Sequence, residues 1–433
     1  MTTTRTITVQ ALARVEGEGG LTIRVHDGVV EGVELRIYEP PRFFEGLLRG
    51  RAATEAPDIT ARICGICPVA YQMSAVHAIE QGLGVTLPPA LRLLRRLLYC
   101  GEWIESHTLH VHMLHAPDFL GFESAVAMAQ ASPALAEVVR RALRIKKIGN
   151  RIVSVVGGRE VHPINVRVGG FFRAPRREEL TALVDDLAWA RDAAIETVRW
   201  AAGLEFPDFG GEYEVVALRH PDEYPMNEGR LVSSRGLDIA PAEYAAHFEE
   251  RQVPHSNALQ AQRVGGGSYF VGPLARWNLN ADRVRPIVRE VATAAAHLAV
   301  PETNPFRSIV VRTLEVLQAL DDALALIAAY DPPAAPAVEL QWRAGVGHAI
   351  TEAPRGILYH RYVFDDAGML TDAVIVPPTS QNQAQIERDL LRLAPELLRL
   401  PRAAAALEAE KVIRSYDPCI SCATHFLTLT VEE

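Results

Sequence analysis

Four of the five cysteines in this chain stand in two Cys-x-x-Cys pairs, Cys64/Cys67 and Cys419/Cys422, at opposite ends of 433 residues. Thiols at i and i+3 of a tight turn face one side and can share a metal, and Gly65 lets the backbone bend toward it. Taken singly, each pair reads equally as half a zinc site, a redox dithiol or two core cysteines. Taken together, they constrain the fold. Zinc ribbons place about 15–20 residues between their pairs, because the metal staples a small domain. A chain of this length with 48% hydrophobic residues can bury a large core and needs no such staple. A site assembled from two distant segments inside a large core is of the catalytic kind, and soft thiolates favour nickel, iron or copper(I) over hard cations. Cys100, in an apolar helical stretch, reads as a small buried hydrophobe.

Charge narrows the class further. A formal net charge of -9 leaves no dense Lys/Arg face for a nucleic acid or an anionic membrane. No run approaches the 18 or so apolar residues of a membrane span; Ala323–Tyr330 is flanked by Asp321, Asp322 and Asp331. The first twenty residues hold no apolar core of a secretory signal, so the expected setting is cytoplasmic. Gly265-Gly266-Gly267 lacks the strand–GxGxxG–helix context and reads as a plain loop, not a phosphate cradle.

Periodicity gives the architecture. Alternation over Thr6–Ala13, Leu21–Val25 and Val29–Ile37 predicts a small antiparallel sheet. Helical spacing takes over from Pro68 to Gly82–Gly84, and then over Ala90–His115, Pro133–Val156, Glu178–Ala202, Ala281–Ala299 and from Pro305 to about Ala329. Phe206–Gly236 and Val264–Gly272 read as irregular connections. Val338–Val376 alternates like strands around a turn at Asp365–Gly368, and Gln385–Leu400 reads as a last helix before the second cysteine pair. The expected fold is mainly α with a small antiparallel β appendage. It reads as one domain: a β region over 1–50, a helical body over 51–337, and a hairpin, helix and metal-ligand segment over 338–433.

The residues around the cysteines sharpen the chemistry. Arg62 precedes the first pair, Asp417-Pro418 precedes the second, and His425 follows Cys422 at i+3. A guanidinium and a carboxylate beside thiolate turns read as groups that orient and tune ligands. Arg62-Ile63-Cys64-Gly65-Ile66-Cys67 and Asp417-Pro418-Cys419-Ile420-Ser421-Cys422-Ala423-Thr424-His425 resemble the two signatures of the nickel–iron hydrogenase large subunit. The likeness extends through Arg14-Val15-Glu16-Gly17-Glu18-Gly19, Phe43-Phe44-Glu45-Gly46, Ser74–Glu80, Leu114-His115-Ala116-Pro117-Asp118-Phe119 and Glu352-Ala353-Pro354-Arg355-Gly356, in the family's order.

The resemblance implies that fold and a set of roles. All four thiolates would bind nickel, Cys64 and Cys419 as terminal ligands, Cys67 and Cys422 as bridges to an iron carrying carbonyl and cyanide. Arg355 and Thr379 would hydrogen-bond the cyanides, with Pro354 and Pro378 closing an apolar wall. Heterolytic cleavage of dihydrogen needs a metal to take the electron pair and a base beside it. On this likeness Cys419 would be that base and Glu16 the gate of the proton's exit. Asp118, Asp417 and Arg355 would form a polar canopy over nickel. Glu45, His425 and a carbonyl near Gln383 would hold a magnesium ion, unusual in its histidine ligand. His162 resembles the residues that face the partner's nearest iron–sulfur cluster.

Tyr71 stands four residues after Cys67, where membrane-associated members usually carry histidine, and Pro68–Met73 is similar to the cytosolic branch that couples to NAD(P). That branch implies a small iron–sulfur subunit, further subunits binding flavin and NAD(P), and maturation proteins. Two alternatives stand beside it. One is a hydrogen-sensing regulatory subunit; the other is a nickel-free relative in a quinone-reducing respiratory complex, which lacks the cysteine pairs. For the tail Phe426–Glu433 there are two readings, a retained surface strand or an extension removed by an endopeptidase after His425, and retention is preferred.

Overall fold

The computed structural model describes residues 4–27 and 29–424. The chain opens with β1 (Thr4–Val9), β2 (Gly19–His26) and β3 (Val29–Ile37), antiparallel in that order. Ile7, Leu21, Ile23, Val25, Leu35 and Ile37 fill the inner face, as the alternation requires. Helix α1 (Pro68–Leu83) follows the first cysteine pair directly: Cys67 is its cap residue, Pro68 takes the first turn, and Gly84 ends it at φ 71°. It is buried almost all round, which places it at the centre of the molecule.

Helix α2 (Pro89–Leu109) runs into a π-helical turn, His110–His115, and then into α3 (Ala116–Leu120). Ser132 caps α4 (Pro133–Gly157), its hydroxyl accepting from Leu135 N at 3.2 Å, and α5 (Val184–Ala202) completes this part of the body. Two small hairpins follow, β4 (Val216–Arg219) with β5 (Arg230–Ser233) and β6 (Phe248–Gln252) with β7 (Leu259–Arg263). After α6 (Pro273–Asn280) and α7 (Ser308–Ala329) come β8 (Gly345–Ala353), β9 (Gly356–Phe364) and β10 (Leu370–Val376), then α8 (Pro378–Leu397) and α9 (Arg402–Ser415). Helix α2 packs on α4 and α7, α7 on α5, and α1 on β8 and β9. Most residues of this last β-sheet are buried, and β8 and β9 lie against α1.

Several boundaries differ from the sequence reading. The helix expected over 281–299 is broken. A 3-10 turn at Ala281–Arg283, Pro286 at the head of a six-residue helix, and a π-helical turn ended by His297 at φ 46° interrupt it. The stretch read as irregular over 206–236 contains all of β4 and β5, four residues each and too short to show a period. The last helix is two, because Pro401 separates α8 from α9. The proline-rich stretch 331–336 is irregular.

Helices α2 and α4 approach closely at Gly101 and Gly149. A Cβ on Gly149 would meet Gly101 O at 2.8 Å and Glu105 N at 2.9 Å, backbone atoms that cannot rotate away. Gly149→Ala should therefore cost about 1–3 kcal/mol through forced separation of the two helices. Thermal and denaturant unfolding measure this, and wild-type stability in the variant would refute the close approach.

Candidate metal centre

Cys64 and Cys67 lie on the turn that leads into α1, and Cys419 and Cys422 on a 3-10 turn that follows α9. The four Sγ atoms all fall within 4.8 Å of one another, and all four residues are buried. Cys64 Sγ is 3.3 Å from Cys419 Sγ, Cys67 Sγ 3.7 Å from Cys422 Sγ, and the two C-terminal sulfurs are 2.8 Å apart. Thiolates on one metal at about 2.3 Å lie roughly 3.3–3.8 Å from each other, so the cross-chain spacings fit a shared ion. Burial above all pushes the Cys419 and Cys422 thiols up. A dry group of four thiols cannot ionise together without cations among them. The donor set is soft and fits nickel and iron.

Glu16 lies against the same turn. The Cys419 thiol donates to Glu16 Oε2 at 3.1 Å, Ser421 N donates to the same oxygen at 3.0 Å, and Ile420 N donates to the Glu16 carbonyl at 3.0 Å. An isolated parallel bridge between Glu16 and Cys419 fixes this alignment. Beyond it, Ser421 Oγ donates to the half-buried Glu39 at 3.0 Å.

Arg355 owes its position to a two-residue hairpin. Ala353 pairs with Gly356 at the end of the β8–β9 ladder, so Pro354 and Arg355 form the tip. Arg276, fully buried, holds that tip by donating to the Ala353 and Pro354 carbonyls at 3.0 and 2.9 Å, and it pairs with Glu315 and Glu352. Arg355 itself donates to Asp417 O at 2.9 Å and to Asp417 Oδ1 at 3.1 Å. Burial disfavours its charge, yet Asp417 and the thiols of Cys419, Cys67 and Cys64 hold its pKa well above the ordinary value. Thr379, at the start of α8, accepts the Cys419 N–H at 3.0 Å, which leaves its own O–H proton to donate elsewhere. Pro354 and Pro378 are buried beside these groups.

The other expected residues fall in three groups. Asp118 is bound by Arg414 at 2.7 and 2.9 Å and by Arg14, so it joins the canopy at one remove. His110 makes the connection: its Nε2 donates to Arg414 O at 2.9 Å and lies 3.9 Å from Asp417 Oδ1. Glu45 is pushed up to about 7 by burial, though Ile375 N donates to its Oε1 at 2.7 Å. The side-chain amide of Gln383 is engaged by Ser256 at 3.3 Å and Leu259 O at 3.0 Å. His425 and the tail lie outside the described residues. His162 is part-buried at φ 50°, its Nδ1–H donating to Ala61 O at 2.7 Å, and Cys100 is fully buried as expected.

One expectation is corrected. Arg62 is exposed and does not support the thiolates. Position i−2 to Cys64 faces outward, whereas Arg42, distant in sequence, donates to both Ile63 O (2.7 Å) and Ser421 O, tying the two cysteine turns together. Arg312 was also missed: a helix residue in an apolar pattern, it is fully buried on α7, 3.7 Å from Asp417 Oδ2, and burial pulls its pKa down to about 10. Tyr71 is buried beside the site, its phenol pushed well up by burial and by Cys422 and Cys67.

Comparisons with known proteins agree with this geometry. The family model described as nickel-dependent hydrogenase matches residues 42–141 and 258–425. The alpha subunit of sulfhydrogenase 1 from Pyrococcus furiosus is 32% identical over 427 residues, covering 98% of each chain. The matching chain of the F420-non-reducing hydrogenase vhc from Methanococcus voltae is 29% identical, with 97% of this chain and 94% of its own covered. Among solved structures, an NAD+-reducing [NiFe]-hydrogenase in the H2-reduced state superposes with TM-score 0.84 at 26% identity, covering 97% of this chain and 99% of that one. The Ni-Fe-Se hydrogenase of D. vulgaris Hildenborough shares the fold, with TM-score 0.76 at 21% identity.

The Asp118–Arg414 pair makes a prediction about acid stability. Burial pushes the Asp118 pKa up, but Arg414 outweighs it and holds the carboxyl below its ordinary value. A carboxylate with a depressed folded pKa contributes stability that is complete above its unfolded pKa and is lost as pH falls through the folded one. Asp118→Asn should be less stable than wild type at neutral pH, and the deficit should shrink below about pH 4. Denaturant unfolding at several pH values reads this, and a deficit independent of pH would contradict it.

Proposed function

From a chain that belongs to the nickel-dependent hydrogenase family, as a nickel–iron hydrogenase large subunit, we propose a catalytic role in reversible heterolytic cleavage of dihydrogen, with the electrons passed through a partner iron–sulfur subunit to NAD(P). The observation that carries this is the Cys419 thiol resting 3.1 Å from Glu16 Oε2, at the edge of four clustered buried thiols. Cys64, Cys67, Cys419 and Cys422 would hold nickel, the second of each pair also reaching iron. Bound there, the two metals supply the sink for the electron pair of dihydrogen, and iron's carbonyl and cyanide ligands complete that group.

The protein's own work is the proton. Cys419 takes it as base and returns it in the reverse direction, and Glu16 is already placed to receive it across one contact. Ser421 steadies that carboxylate through its N–H, and its hydroxyl, bound to Glu39, offers the next step outward. Arg355 balances negative charge in the dry site and, with Thr379, would donate to the iron's ligands, while Pro354 and Pro378 exclude water. Asp417 orients Arg355, and Asp118 is held in place by Arg414 behind it.

Glu45 and His425 would hold magnesium. The bond from Arg42 N to Thr424 O at 2.7 Å supports this, since it draws the chain before His425 alongside residues 42–45. With its amide engaged, Gln383 is left a backbone contribution only.

Composition supports an electron exit through a partner. Apart from the clustered four, the remaining cysteine is Cys100, fully buried on α2, so an iron–sulfur cluster of this chain's own has no ligand set. The NAD(P) acceptor and a cytoplasmic setting are supported by Tyr71 after the first bridge and by the likeness to an NAD+-reducing enzyme. Among the described residues no helix is long and apolar enough to cross a membrane. All four thiols meet, which tells against a nickel-free respiratory relative.

Metal analysis of the purified complex should find about one nickel and one iron at the four-thiolate site per chain. Stoichiometric zinc without nickel in active material would sink the assignment. Cys419→Ser should abolish turnover, because a hydroxyl is a hard and poorly ionised substitute. Glu16→Gln should retain both metals and lose exchange between deuterium gas and water by a factor of about 10² or more, since an amide cannot relay a proton by ionising. Wild-type exchange in that variant would remove Glu16 from the path.

A further inference from the structure

The two sulfurs of the N-terminal pair receive different numbers of backbone donors. Cys64 Sγ accepts from Ile66 N at 3.3 Å and from Cys67 N at 3.4 Å. Cys67 opens α1, and the free N–H groups of a helix's first turn are natural donors to an anion beside it. Here they go elsewhere. Pro68 has no N–H, and those of Val69 and Ala70 donate to Glu102 Oε2 at 2.7 Å and Glu102 Oε1 at 3.0 Å. Glu102 reaches them from α2 and is 1% exposed. Each of its oxygens accepts one backbone N–H, and burial pushes its pKa up.

Hydrogen bonds to a thiolate withdraw electron density and so tune the metal it binds. A terminal thiolate has lone pairs to spare for N–H donors. One that bonds two metals has fewer. We propose that Glu102 is a positioning residue of the metal centre: by binding the leading N–H groups of α1, it keeps them off Cys67 and fixes the turn that presents this sulfur to two metals. The proposal rests on the reading of Cys67 as a bridging ligand. It explains why a carboxyl group is buried at this point with backbone donors for partners.

The test is infrared spectroscopy of the purified complex in the carbonyl and cyanide stretching region, for Glu102→Gln and Glu102→Leu. The glutamine is isosteric and keeps one acceptor; leucine keeps none. Both should retain nickel and iron, and the bands should shift to higher wavenumber, further in Leu than in Gln, as freed N–H groups reach Cys67 and iron becomes electron-poorer. The nickel X-ray absorption edge, measured on the same samples, should move to higher energy. It needs no iron ligand, so it judges Glu102 even if wild type shows no diatomic bands, an outcome that would strike the carbonyl–cyanide reading alone. Metal-loaded variants with wild-type bands and edge overturn the proposal. So does failure of both variants to accumulate as folded protein, which would make Glu102 a clamp of the fold only.

Discussion

The convergence of four thiols from the two ends of the chain is the constraint on which the rest of the structure depends. Cys64 and Cys419 are separated by 355 positions, yet their sulfurs are 3.3 Å apart. The entropic cost of such a closure grows only with the logarithm of loop length and is about 5 kcal/mol here, so chain length is not the obstacle. The obstacle is placing two tight turns face to face in a dry interior with their charges compensated. Helix α1 and the β8–β9 hairpin do this from one side, α9 and the Glu16 segment from the other. Arg42 ties Ile63 O to Ser421 O across the gap.

Charge compensation is distributed along a series of buried arginines. Arg355 faces the thiols and Asp417, Arg312 approaches Asp417 from behind, Arg414 holds Asp118, and Arg276 holds Glu315, Glu352 and the hairpin tip. Removing one member of such a pair leaves an uncompensated charge in low dielectric, which costs several kcal/mol. The arrangement thus ties the geometry of the site to the integrity of the core. The Arg355 guanidinium cannot drift without leaving the Asp417 carboxylate and carbonyl together.

Much of this was legible in the sequence, for a physical reason. The cysteine turns, Glu16, Arg355 and Asp417 sit in short motifs whose residue types announce their chemistry, and the structure brings them together. Long helices with continuous apolar periodicity were read to within a few residues. What stayed hidden was whatever depends on distant partners. Arg312 and Glu102 sit in helical stretches where an arginine or glutamate looks like solvated surface; only the packing of α7 and α2 shows both to be buried. Arg42 was invisible for the converse reason, an exposed residue whose hydrogen bonds reach 379 positions away. Arg62 looked functional by adjacency and is not. Strands of four residues, such as β4 and β5, carry too little pattern to be read without their partners.

The hairpin that carries Arg355 also limits how this chain can vary in length. In a two-residue turn every side chain's face is set by a count, and one added or lost residue exchanges the inner face of β9 for the outer. The turn is walled in besides: a Cβ on Gly272 would meet Arg355 O at 2.7 Å, and one on Gly356 would meet Val271 Cγ2 at 2.5 Å. Insertions and deletions in this sheet are therefore confined to the opposite end, at the exposed turn around Asp365 and Asp366, where the loop reaches solvent. The distance in residues between Glu352 and Gly356 is as much a part of the site as the guanidinium it delivers.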